Sequence, residues 1–278
     1  MEIPLQLAAR DGFALGAVLH EAPEGGEPGR AALLCGGGGI PARVYRRFAA
    51  WLAARGVPVL AFDCRGIGRS RPAKLRGFAA TLEDWAELDC AAALDWLRRR
   101  YPRAELAGIA HSIGGLILAG TPNAGEIGRY LLIGVHTGYC GDYHPRWRLP
   151  MTLVWHGVMP ALARTLGFFP GRALRLGEDL PGGFALQWAA RRKPEIQASG
   201  LKRLRRREGK ALALTFTDDC FATERGTRRL LAHLTRLSIE HRVIAPRDAG
   251  MARIGHFGFF RREAERALWP PAADWLRA

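Results

Sequence analysis

Two apolar runs meet head to tail at a turn of small residues. Leu106-Ala107-Gly108-Ile109-Ala110 leads through His111-Ser112-Ile113-Gly114-Gly115 into Leu116-Ile117-Leu118-Ala119. The first run has the length of a buried strand, and the second opens a helix. A serine at such a joint, with small residues two before and two after it, has the form of a nucleophile elbow. The demand is steric: a turn sharp enough to lift a hydroxyl above the sheet leaves no room for bulk beside it. Ala110 stands where glycine is usual, and a methyl group is the smallest possible addition. Gly114 and Gly115 let the helix approach the strand closely. Around this joint the elements alternate. A hairpin turns at Asp11-Gly12, then strands are expected over 31–35, 57–62 and 105–110, with helices over 42–55 and 81–101 between them. Thr81 and Asp84 resemble a capping box for the second helix, with Asp in place of Glu. Alternation of this kind implies a mostly parallel sheet covered on both faces.

Four further segments bear on chemistry. The strand Ala31-Ala32-Leu33-Leu34-Cys35 runs into Gly36-Gly37-Gly38-Gly39-Ile40-Pro41, a loop whose backbone N–H groups no side chain obstructs. Such a loop suits a developing oxyanion. No Gly-Lys-Ser/Thr follows it, against a Walker-type phosphate loop, and the spacing is wrong for a dinucleotide fingerprint. In Asp63-Cys64-Arg65-Gly66-Ile67-Gly68-Arg69-Ser70, Asp63 and Arg65 are expected to hold a glycine-rich turn through charge-assisted hydrogen bonds. Ser70 lacks the strand–turn–helix context of Ser112. A later strand, Ala211–Phe216, ends in Thr217-Asp218-Asp219, which puts carboxylates at the functional edge of an open sheet. Finally, Gly255-His256-Phe257 lies in a glycine- and aromatic-rich loop before the last helix. Ser112, then an Asp, then His256 is the chain order of α/β-hydrolase triads and not that of chymotrypsin or subtilisin.

With these residues in view, the chain resembles α/β-hydrolase-fold serine hydrolases of the lysophospholipase/esterase-like branch, and within it a bacterial group of predicted hydrolases without an agreed substrate. The matching motifs, from Cys35-Gly36-Gly37-Gly38 to Gly255-His256-Phe257, span nearly the whole chain. The resemblance implies Ser112 as nucleophile, His256 as base, and Gly37 with Ile113 as oxyanion donors. It favours Asp219 as the acid, two residues before apolar Phe221, with Asp218 as the alternative and Asp142 as a more distant one. Gly38, His136, Tyr139, Trp155 and Phe257 are the candidate substrate-binding residues. Cys35 stands where many relatives carry histidine and is expected to be a small apolar filler.

The length of 278 residues fits one core, residues 1–140 and 209–278, with a helical cap inserted over 141–208. The stretch 149–162 is too interrupted by prolines and His156 to span a membrane; packed cap helices are expected, with an apolar wall for an acyl chain or a weak interfacial contact as the sharper reading. His111 is expected to pack behind the nucleophile, His136, His144 and His156 to lie near a pocket, and the basic run 202–207 to form a solvated helix face. Residues 25–29 read as a loop. No pair of histidines has ligand spacing on one helix and no cysteine pair has zinc spacing, so neither metal nor cofactor is expected. The net charge of +15 comes mostly from scattered arginines, without a nucleic-acid motif, so no nucleic-acid partner is expected. The charge is read as a source of long-range attraction for anionic substrates. An odd five cysteines, and a start without the basic and apolar segments of a signal peptide, point to a cytoplasmic chain; a monomer or homodimer is expected. The expected substrate is a small-molecule or acyl ester. Acyl transfer, thioester or amide cleavage would use the same residues, and a non-catalytic binding protein is the third reading.

Overall fold

A computed structural model describes residues 1–23, 28–190, 203 and 205–278. Most of the loop expected over 25–29 and part of the basic run at 202–207 lie outside the described residues. The main strands are β1 (Glu2–Ala8), β2 (Ala14–His20), β3 (Arg30–Cys35), β4 (Val59–Phe62), β5 (Glu105–His111) and β6 (Ile127–Ile133). After them, β7 (Phe168–Phe169) and β8 (Leu180–Pro181) form a separate antiparallel pair, and β9 (Gly209–Phe216) and β10 (Leu237–Ile244) return to the main sheet. The order across that sheet is β1-β2-β4-β3-β5-β6-β9-β10. β2 pairs antiparallel with β1 and β4; the remaining pairings are parallel.

Central strands read as continuous apolar runs because both faces are covered. β3 shows this directly: Leu33 points into one core, and Ala32 and Leu34 into the other. One core packs the helices Arg46–Ala53 and Trp269–Arg277 through Phe48, Trp269 and Phe259. The opposite core holds Trp85, Leu94, Leu97 and Ile117. β10 was not anticipated from sequence. It is an edge strand, and its Glu240-His241-Arg242 centre breaks up the apolar pattern of its flanks.

The helix expected over 81–101 runs from Leu82 to Arg100 but relaxes to π geometry over Trp85–Cys90. Its N-terminal capping box forms as expected, with Thr81 and Asp84 reciprocally bonded. The π turn carries Asp89, fully buried, whose carboxylate accepts from the backbone N–H and Nε of Arg65, both at 2.8 Å. The outer Nη atoms of Arg65 reach Asp11 at 2.7 and 2.8 Å. Asp63 accepts from the N–H groups of Ala42 (2.6 Å) and Arg69 (2.9 Å), and Ser70 Oγ donates to the Asp63 carbonyl. These bonds fix the turn after β4 beside the carboxyl ends of the strands.

Between β6 and β9 the chain leaves the sheet. Helix Pro145–Leu153 continues through a π turn, Val154–Val158, into helix Met159–Leu166, and helix Gly182–Ala189 follows β8. Met159, Ala163, Phe184, Ala185 and Trp188 join the main core. Leu149 and Leu153 remain 68% and 61% exposed, so the expected packing holds for one face of these helices only. Among the described residues, no helix is long and apolar enough to cross a membrane.

Part of the basic run departs from expectation: Arg205 and Arg206 are exposed, as a solvated face requires, but Arg207 is not. Arg207 is buried, and its guanidinium donates to the carbonyls of Ala119 (2.8 Å) and Thr121 (2.6 Å). Arg203 adds a bond to Gly120 O at 3.3 Å. A helix ends in unpaired carbonyls and a partial negative charge, which buried cations offset. Arg207, with partly exposed Arg203, therefore closes the C-terminal end of helix Gly114–Gly120.

That helix is pinned at its other end by close backbone approach. A Cβ on Gly114 would lie 2.4 Å from Cys35 O and 2.6 Å from Gly36 O, atoms that no rotamer change can move. Gly114→Ala is therefore expected to lower stability by roughly 1–3 kcal/mol, read as a fall in the midpoint of thermal unfolding. Gly128→Ala, where a Cβ meets nothing within 4 Å, is the control expected to melt as wild type does.

Candidate active site

Ser112 follows β5 with a φ of +56°, in the left-handed region that non-glycine residues rarely adopt. Its N–H bonds Ile133 O on β6 (3.2 Å), and its carbonyl accepts from Gly115 N (3.2 Å), so both sides of the strained residue are tied down. The side chain is 6% exposed at the floor of a cavity.

His256 arrives on the loop before the last helix. Its Nε2 lies 3.1 Å from Ser112 Oγ and its Nδ1 2.7 Å from Asp219 Oδ2. Asp219 follows β9 and also accepts from the N–H groups of Phe221 and Ala222, each at 2.9 Å. Burial opposes ionisation of Asp219, but the nearby His256 and these hydrogen bonds outweigh it and hold the carboxyl below its ordinary value. An ionised carboxylate only accepts, so Nδ1 of His256 carries a proton and Nε2 faces the serine as an acceptor.

The alternative acids are occupied elsewhere. Asp218 accepts from the N–H groups of Ile254 and Gly255, both at 2.9 Å, and so secures the loop that carries His256. Asp142 is buried against Arg225 and Arg229.

The glycine loop packs tightly on the elbow. A Cβ on Gly37 would come within 2.9 Å of Ser112 Cβ, and one on Gly38 within 2.8 Å of Ile113 Cδ1. The expected donor role of Gly37 needs correction, however: its N–H is engaged, bonding Tyr45 Oη at 2.9 Å. Tyr45 is a residue the sequence gave no reason to single out. Its hydroxyl also lies 3.0 Å from His111 Nδ1, and His111 Nε2 lies 2.9 Å from the carbonyl of His256. Because that carbonyl can only accept, the proton of His111 sits on Nε2. Tyr45 then donates to Nδ1 and accepts from Gly37. Burial, with the neighbouring His256 next in weight, holds His111 well below the ordinary imidazole range and keeps it neutral.

Of the candidate pocket residues, Gly38, His136, Trp155 and Phe257 line the cavity above Ser112, together with Met159 and Trp188. The volume is about 250 Å³ and the lining is mainly apolar. Tyr139 does not line it. The chain turns after His136, and the Tyr139 ring packs beneath the guanidinium of Arg229, 5.6 Å from its centroid. His144 accepts from Arg146 N at the start of its helix, and His156 lies 2.7 Å from Ala189 O, both away from this cavity. His136 comes closer to the chemistry than expected, with Nε2 3.1 Å from Ser112 Oγ.

Residues 26–124 match the family described as serine aminopeptidase, S33. A sequence comparison with curated proteins gave no match. Several solved structures share the whole architecture at low identity. A soluble variant of the monoglyceride lipase of Saccharomyces cerevisiae superposes with a TM-score of 0.70 at 17% identity, covering 99% of this chain and 95% of that one. An esterase of Pyrococcus furiosus gives 0.65 at 16%, over 100% of this chain and 91% of its own. A monoacylglycerol lipase of Paleococcus ferrophilus gives 0.59 at 19%, over 94% and 98%. Sheet order, elbow and these neighbours agree on the architecture: the chain has the α/β-hydrolase fold.

Proposed function

We propose that this protein is a serine hydrolase that cleaves carboxylic esters through an acyl-enzyme on Ser112. The observation that carries the reading is His256 between two partners, with Nδ1 on the ionised Asp219 and Nε2 on the serine hydroxyl. In the proposed reaction Ser112 Oγ attacks the ester carbonyl and its proton passes to His256 Nε2. Collapse of the tetrahedral intermediate expels the alcohol, which takes that proton. Water then repeats the sequence on the acyl-enzyme. Asp219 fixes the tautomer of His256 and stabilises the imidazolium.

The oxyanion is assigned to the N–H of Ile113, the residue after the nucleophile, with Gly38 as the second donor because it lines the cavity and Gly37 is bonded to Tyr45. The inserted helices are read as a cap that sets the acyl group, because Trp155, Met159, Phe184 and Trp188 supply much of the apolar wall. The named esterase and monoacylglycerol lipases of the same fold support ester chemistry as the first choice. Transfer of the acyl group to an alcohol or amine uses the same intermediate and is distinguished by adding such acceptors and analysing products.

Turnover of p-nitrophenyl esters from acetyl to palmitoyl tests the reading. Wild type is expected to turn over, with an optimum that reports the cavity's depth, and Ser112→Ala to fall to background. Turnover retained in Ser112→Ala, or a wild type inert on the whole series, overturns it.

The two neighbouring aspartates are expected to behave differently. Asp219→Asn is expected to lower kcat by roughly 10⁴-fold, while Asp218→Asn, which touches only loop backbone, stays within about tenfold of wild type. Equal losses in the two variants would refute the assignment of the acid.

Asp219 also predicts a pH signature in stability. Its folded carboxyl lies below the unfolded value of 3.8, so ionisation stabilises the fold above that pH, and the contribution is lost as pH falls through the folded value. Asp219→Asn is therefore expected to differ from wild type in denaturant midpoint at pH 7 and to converge with it in acid. A gap that stays constant down to pH 3 would show the carboxyl is not depressed.

A further inference from the structure

We propose that His136 is a second catalytic histidine, acting as a fixed hydrogen-bond donor to Ser112 Oγ and not as a base. The inference rests on the reading of Ser112 as nucleophile. Two imidazole nitrogens face this oxygen at the same distance, His256 Nε2 and His136 Nε2, each at 3.1 Å. Distance alone does not assign their roles; the far side of each ring does. His256 Nδ1 meets the carboxylate of Asp219, so its Nε2 is an acceptor. His136 Nδ1 meets the N–H of Gly138 at 3.0 Å, so it is itself the acceptor, and the ring proton lies on Nε2. A His136 acting as base would need that proton on Nδ1, aimed at another N–H.

The hydrogen bonds around the nucleophile therefore run one way: His136 Nε2–H to Oγ, Oγ–H to His256 Nε2, Nδ1–H to Asp219. The His136 donor occupies a lone pair of Oγ and leaves the serine's own proton directed at His256. During attack the Oγ–carbon bond forms, the carbonyl π pair moves onto the carbonyl oxygen, and the serine proton passes to His256. His136 transfers no proton. It stabilises the negative charge on Oγ as that proton leaves, and again when deacylation expels Oγ before it is reprotonated. A donor to a charged oxygen is the stronger class of hydrogen bond.

The surroundings hold the ring in place. His136 is 4% exposed, with Tyr143 and Trp188 edge-on at centroid distances of 5.9 and 6.5 Å. Gly138, which supplies the N–H, has a φ of +81° and lies against Trp188, where a Cβ would come within 2.5 Å of the ring. The turn that selects the tautomer is thus built from the inserted helices as well as from the sheet.

The test uses the full chain and two readouts: the second-order rate at which a fluorophosphonate labels Ser112, and kcat and KM on the best p-nitrophenyl ester. His136→Leu fills the volume without a donor, His136→Ala removes the ring, and His136→Gln returns an N–H near the position of Nε2. We expect the Leu and Ala variants to lose roughly 10- to 100-fold in both labelling rate and kcat, with KM within about threefold. His136→Gln is expected to recover most of the loss at an unchanged melting temperature. Leu or Ala variants that label and turn over within twofold of wild type overturn the proposal. So does a folded Gln variant as slow as Leu, since a packing role would not distinguish them in this direction. A wild type that the probe does not label overturns the nucleophile reading beneath it, an outcome separable from the first two.

Discussion

A left-handed backbone at Ser112 costs on the order of 1–3 kcal/mol, and the structure around it reads as the set of contacts that keep the residue there. Its N–H is bonded to β6 and its carbonyl to Gly115, while the following helix is drawn so close to the glycine loop that only hydrogen fits at Gly114. At the far end of that short helix, Arg207 is buried against the last carbonyls. Removing a guanidinium from water is costly, and the sequence accepts that cost to satisfy acceptors that otherwise face a packed interior. The elbow is thus held at both ends of a single helix of seven residues.

Behind the elbow runs a second constraint, a chain of buried hydrogen bonds with one permitted direction. Gly37 donates to Tyr45, Tyr45 to His111, and His111 to the carbonyl of His256. Every donor and acceptor is used, which is the condition under which a buried polar network contributes rigidity. It links the glycine loop to the loop of His256 through His111, the residue before Ser112. The same network explains why Gly37 is not a free donor: a tyrosine hydroxyl needs a donor when its own proton is committed, and Gly37 is the group beside it.

How much of this was legible in the sequence depends on whether a feature is decided locally. The elbow, the glycine loop and the capping box at Thr81 are patterns of adjacent residues whose sterics determine the backbone, and the structure has them where the sequence predicts. Asp218 and Asp219 could not be separated by composition, because neighbouring side chains after a strand diverge: one meets the ring of His256, the other the backbone two residues before it. Tyr139 and Gly37 were misread because their partners, Arg229 and Tyr45, are chosen by tertiary packing. β10 escaped because an edge strand with one wet face carries charges in its centre. The direct contact of His136 with the serine was beyond reach for the same reason. Its sequence signal was a histidine just past the end of a central parallel strand, and only the turn at Gly138 sets its tautomer.

The two histidines show why the inserted segment matters beyond shaping a pocket. A serine hydroxyl has one proton and two lone pairs, so a site that offers it two identical rings is ambiguous unless something outside the rings breaks the symmetry. Here the sheet supplies one answer, the carboxylate of Asp219 after β9, and the turn packed under Trp188 supplies the other, an N–H. The lining of the cavity over these bonds is mainly apolar, and a low-polarity surrounding strengthens both. Proton direction at Ser112 Oγ is set jointly by the core and the insertion. A change of the inserted helices that moved Trp188 would alter the hydrogen bonds at Ser112 as well as the shape of the cavity above it.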